Sequence, residues 1–254
     1  MNTKYDDQLR EIEVFRVHPS LLPFVGDSYE TYRVLHIGES HYINQNSENE
    51  QYGIEFFNEH WWNNSCQEAI EKLDCKNWID TRKVLDRYIC GEKGSYTIFT
   101  NFIKSFSRVV LKKEIGSISL ETKGLYKYIS FMNFFQMPSL YEGQKYWNSL
   151  LKSSKKANNK ALVYDLWETS VEKSGKTVDA VIDIINPKAV VFTSISAGEA
   201  YRNYKKMKNE QYDDNKFIFT SHPNTPYTWN KCLKSLGGKK GIEVFESRLK
   251  DIYG

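Results

Sequence analysis

The feature that most constrains the fold is the alternation of β-rich and helical runs toward the end of the chain. Residues 188–194 read Lys-Ala-Val-Val-Phe-Thr-Ser, an apolar, β-branched run of strand length. A helical pattern over 197–207 follows, then a second strand pattern at 216–220. Two strands separated by a helix pair in parallel, and a parallel sheet must be covered by helices on both faces. Two further runs, 32–37 (Tyr-Arg-Val-Leu-His-Ile) and 126–135, read as buried strands. Helical periodicity is predicted from Thr81, over 102–111, over 162–185 and over 242–252. The expectation is an α/β fold, a three-layer α/β/α sandwich around a mainly parallel four-stranded sheet. The first thirty residues are polar, with one short amphipathic stretch and two prolines, and read as an arm. Residues 31–254 read as one domain, a normal size for a single α/β core.

Several function classes recede on composition. The formal net charge is only +3, so nucleic-acid contact would rest on local patches and not on an overall field. Cys66, Cys75, Cys90 and Cys232 form no C-x-x-C pair and have no histidine at ligand spacing, which argues against zinc, an iron–sulfur cluster or any other metal centre. No run approaches membrane-spanning length and the N-terminus has no apolar signal core, so a soluble cytoplasmic chain is expected, by default a monomer. Aromatic residues make up 15% of the chain, enough for some to serve as stacking platforms near the surface.

In open α/β sheets, ligands bind beyond the carboxyl ends of the strands. Three polar clusters fall there. Gly38-Glu39-Ser40-His41-Tyr42 follows the first strand: the glycine permits a close backbone approach, and Glu39 is able to orient or deprotonate a water. Ser221-His222-Pro223-Asn224 follows the last strand, with an imidazole suited to hydrogen-bonding a developing anion. Asn133 is an amide within an apolar strand, suited equally to clamping backbone or to reading a nucleobase edge. Taken alone, each cluster also fits an ordinary turn or a structural polar residue, and Phe99 reads as core.

Together, in this order, the clusters resemble the uracil-DNA glycosylase superfamily over about residues 32–252. The resemblance implies that family's fold and hydrolysis of the N-glycosidic bond of a flipped-out uracil or modified pyrimidine in DNA, with no cofactor. It implies Glu39 as the water-positioning acid and His222 as the group stabilising charge on the pyrimidine. Phe99 would stack on the base and Asn133 would read its amide edge. Gly38, Ser40, His41, Tyr42, Pro223 and Asn224 would complete the base site. Tyr227, Trp229, Lys231 and Lys234 would meet DNA, with Lys239 and Lys240 nearby. The sequence departs from the best-known branch at Ser40, where that branch has aspartate, and at His41, where it has proline. Its leucine wedge is replaced by Pro226 or Tyr227, and the cysteines of the Gly-Glu branch are missing. Two alternatives follow: a domain of the same fold that binds nucleic acid or a nucleotide without cutting, and a serine hydrolase using Ser40.

Overall fold

The computed structural model describes residues 1–43, 53–62, 79–92, 96–140, 146–157, 161–223 and 229–254, with backbone only at 153–157. Five strands form the main sheet: β1 (Phe24–Val25), β2 (Val34–Tyr42), β3 (Ile129–Ser139), β4 (Ala189–Phe192) and β5 (Phe217–Phe219). Their order is β1-β3-β2-β4-β5. The four longer strands are parallel, and β1 adds an antiparallel edge through Phe24↔Phe131 and Val25↔Ser130. The sheet therefore has one strand more than the sequence pattern predicts, because a two-residue strand has no periodicity to detect. Every residue of β3 is buried, as expected for a strand covered on both faces.

Side chains alternate across the sheet and build two cores. On one face Leu35, Ile37, Phe134, Val190 and Phe192 meet Val171, Val178 and Val181 of the long helix Ala161–Ile185 and Tyr201 of the helix Ile195–Met207. On the other, Val34, Phe131, Val191 and Ile218 meet Phe102, Ile103 and Phe106 of the helix Thr97–Val109 and Phe245 and Leu249 of the helix Gly241–Tyr253. In chain order the helices are α1 (Asp6–Arg10), α2 (Glu13–Val17), α3 (Ile54–His60), α4 (Thr81–Ile89), α5 (Thr97–Val109), α6 (Leu120–Lys123), α7 (Tyr146–Ala157), α8 (Ala161–Ile185), α9 (Ile195–Met207) and α10 (Gly241–Tyr253). Helix α8 ends where Asn186 takes a left-handed conformation (φ 43°) ahead of Pro187, a stop that the Asn-Pro pair encodes.

The first thirty residues are not an arm. Leu9, Phe15, Val25 and Tyr29 are fully buried. The Arg82 guanidinium of α4 clasps the Asp6 carboxylate of α1 through two hydrogen bonds (2.8 and 2.6 Å) and donates a third to the Pro23 carbonyl (3.0 Å). That clasp holds the Asp6 carboxyl below its usual pKa.

The crossing of α8 and α9 depends on Gly175. A Cβ there would run into the Tyr204 ring, which lies against the helix backbone. Gly175→Ala is therefore expected to lower stability by about 1–3 kcal/mol, despite alanine's better helix propensity, as read by urea unfolding.

Candidate functional site

Parallel register places the strand ends at one edge. Gly38 pairs with Asn133, and Ile37 pairs with Phe192, whose own partner is Phe219. The segment 38–42 is not a loop, as its polar residues suggest, but the last part of β2 itself. Asn133 likewise sits within β3 and not at its end. Beyond Ser40 the pairing jumps from Phe135 to Ser139, and this irregularity turns the tip of β2 toward α4.

At this edge lies a cavity of about 160 Å³. Seven residues singled out from four separate stretches of sequence line it: Glu39, Ser40, His41, Tyr42, Phe99, Asn133 and His222. Val84, Tyr96, Ile98 and Phe131 complete the wall, and none of these was signalled by sequence.

Each side chain is held by its own structural cause. Phe99 is buried on the first turn of α5, edge-on to Phe131 (5.0 Å between centroids, 90°) and near Tyr88 and Tyr96. Asn133 is 9% exposed and its side-chain amide makes no hydrogen bond to the described residues, so its donor and acceptor remain open at the cavity. It lies across Gly38, where a Cβ would collide with Asn133 Oδ1. Gly38→Ala should therefore cost about 1–3 kcal/mol of unfolding free energy. The penalty should shrink in the Gly38→Ala/Asn133→Ala double variant, a coupling that a double-mutant cycle measures.

Both Glu39 carboxylate oxygens accept hydrogen bonds: Oε1 from the Tyr146 backbone N–H at the start of α7 (2.9 Å), Oε2 from the Ser194 hydroxyl (2.6 Å). Ser194 is also the N-cap of α9, accepting the Ala197 N–H (3.3 Å). Sequence reasoning passed over Ser194 and Tyr146. Ser194 lies two residues beyond β4, so the strand-end rule would have found it; Tyr146 carried no such signal. The ring of His41 bonds the Thr81 hydroxyl (2.9 Å) and ties the tip of β2 to α4. The Ser40 hydroxyl is buried and meets no hydrogen-bond partner among the described residues.

Asn101 of α5 holds the His222 segment by donating from Nδ2 to the Pro223 carbonyl (2.6 Å). From the other side the Thr220 hydroxyl donates to the Gly241 carbonyl (2.7 Å). His222 opens part of its surface to the cavity while its ring is largely withdrawn from water, and that desolvation lowers its pKa from 6.5 to about 4. Beneath it lies a second neutral histidine, His36, stacked on Phe102 (3.9 Å, 7°). The Thr193 hydroxyl donates to the Ile37 carbonyl (3.2 Å), so it accepts from His36 Nε2 (2.8 Å). That fixes the tautomer and leaves His36 Nδ1 to accept from the Tyr126 hydroxyl (3.0 Å).

The remaining expected residues scatter. Asn224, Pro226 and Tyr227 lie outside the described residues. Lys231 and Lys234 are exposed on a hairpin of β6 (Cys232–Leu233) and β7 (Lys239–Lys240). Trp229 does not face DNA: it is 2% exposed and packs on Phe245 (5.8 Å), because an indole beside lysines found apolar cover from α10. Among the described residues no cluster of three or more histidine, cysteine, aspartate or glutamate side chains is arranged to hold a metal ion. No helix among them is long and apolar enough to cross a membrane. Comparison with protein-family models, with curated proteins and with solved structures gave no match.

Proposed function

We propose that this protein is a DNA glycosylase-like enzyme that hydrolyses the N-glycosidic bond of a flipped-out uracil or modified pyrimidine. One observation carries the reading. An aromatic ring, an unmatched amide, a neutral imidazole and an oriented carboxylate, drawn from distant parts of the chain, line one cavity at the carboxyl edge of a parallel sheet. A pyrimidine needs a flat apolar contact, which Phe99 offers, and an amide complementary to its own edge, which Asn133 offers. Breaking the glycosidic bond leaves negative charge on the base. A neutral histidine withdrawn from water donates its one ring N–H to that charge. Glu39 retains acceptor capacity beyond its two structural bonds and orients the attacking water. The exposed lysines of the β6–β7 hairpin meet phosphates.

The same-fold binding domain is favoured by one specific observation, the commitment of both Glu39 oxygens to holding α7 and α9. Ser40 gains no support as a hydrolase nucleophile, since no base hydrogen-bonds its hydroxyl among the described residues. The test is an alkali-cleavage assay over oligonucleotides carrying uracil and oxidised, methylated or glycosylated pyrimidines, in single and double strands. Cleavage at one of these bases supports the enzyme. Salt-sensitive binding with no cleavage at any base supports the binding domain.

A further inference from the structure

The main sheet ends on β5, and that edge carries unspent backbone groups. The Val190 N–H donates to the Lys216 carbonyl and the Thr220 N–H to the Phe192 carbonyl (2.9 Å each), so Lys216, Ile218 and Thr220 turn their backbone toward β4. In a parallel ladder the bonded groups come from every second residue, so Phe217 and Phe219 point theirs the other way. The Phe217 N–H turns back to the Asp213 carbonyl (3.1 Å). The Phe219 N–H and the carbonyls of Phe217 and Phe219 make no hydrogen bond outward from the sheet among the described residues. Such a row of groups is a template for another strand.

Along this edge runs a groove of about 320 Å³, lined by Phe217 and Phe219, by Arg202 of α9, by Val244 and Arg248 of α10, and by Asp214. The Arg202 guanidinium lies over the Phe219 ring, 3.9 Å from its centroid, and has no carboxylate partner among the described residues. Asp214 precedes the Phe217 end of the strand, and its carboxylate is likewise unpaired among them. Arg248 is already engaged, by the Asp214 carbonyl and by Asp251 (3.4 Å). The groove therefore keeps a free donor beside free acceptors and one unpaired charge of each sign. That set is its own complement.

We propose that β5 pairs with β5 of a second copy of this chain, antiparallel about a two-fold axis at Ile218, so that the sheet continues across both molecules. Each Phe219 N–H donates to the Phe217 carbonyl of the other copy, the reciprocal contact that a two-fold axis imposes. Opposed strand directions set the Phe219 end of one copy against the Phe217 end of the other. Arg202 of each copy thereby meets Asp214 of the other. The pairing does not depend on what the strand-end cavity does.

Sedimentation of the full chain from low to high micromolar concentration tests it. A reversible dimer is expected, a weak one because strands of three residues bury less than a standard interface. Arg202→Asp or Asp214→Arg alone sets like charges together twice in each dimer and should weaken association by about tenfold or more. The double variant Arg202→Asp/Asp214→Arg restores both pairs and should return it to within about threefold of wild type. Circular dichroism checks the fold of each variant. Hydrogen exchange at the Phe219 amide of the wild type should slow as the dimer fills, a readout that needs no substitution. A monomer at every concentration overturns the proposal. So does a dimer that neither single variant weakens, that the double variant fails to restore, or that leaves Phe219 exchange unchanged.

Discussion

Replacing His222 with alanine is expected to slow single-turnover excision of the preferred base by about a hundred- to a thousandfold. The size follows from the donor's position. It is withdrawn from water, so no solvent molecule substitutes for it at the moment charge develops. It is neutral, with a pKa near 4, and its one ring N–H donates to the developing charge in a site of low dielectric. Asn133→Ala should lose a comparable factor, chiefly through weaker binding of the extruded base, because its amide is open toward the cavity and not spent on the protein. Circular dichroism of both variants checks that the fold is native. Wild-type excision rates in both variants would remove the chemical basis of the proposal.

The second large effect is on stability in mild acid. His18, His36 and His222 are all buried in neutral form, and burial is the leading cause in each case. Their folded-state pKa values lie below the unfolded value, so the unfolded chain takes up protons first as pH falls. The stability they contribute is complete above pH 6.5 and is lost as pH drops toward about 4, where His18 and His222 protonate in the folded chain. Each contributes a slope of about 1.4 kcal/mol per pH unit across that window. Between pH 7 and pH 5 these two histidines should together remove about 4 kcal/mol, a large share of the roughly 5–15 kcal/mol that holds a domain folded. Urea unfolding at stepped pH measures this, and His18→Gln should reduce the slope by about one histidine's worth. A flat profile from pH 7 to pH 5 would mean that these rings are not buried neutral.

Much of the sheet was legible because parallel strands are continuous apolar runs. The segment 188–207 contains β4 and α9 within a residue or two of their expected limits, and α8 begins and stops where its periodicity does. The N-terminal region was misread for a physical reason. Helices α1 and α2 are five residues each, too short for a 3.6-residue period to declare itself, and the polar tie of α1 to the domain is the distant Arg82. The tip of β2 was misread because Glu39, Ser40 and His41 look solvated. Two of the three are matched by groups far away in sequence, Ser194 and Tyr146 for Glu39 and Thr81 for His41. Trp229 shows the converse error, an aromatic among lysines that belongs to the core. Strand-end reasoning picked out residues that do share one cavity, but the chemistry of Glu39 depends on tertiary partners that no local pattern displays.

The cavity formed by Glu39, Phe99, Asn133 and His222 is proposed to be where a base is severed from its sugar. Mass spectrometry of a single modified-pyrimidine oligonucleotide after incubation with the protein in ¹⁸O-labelled water tests it most directly. Release of the free base is expected, leaving an abasic strand of otherwise intact backbone with one labelled oxygen on the sugar. Unchanged oligonucleotide mass for every pyrimidine tried, under conditions where the protein is folded and bound to the strand, would contradict it.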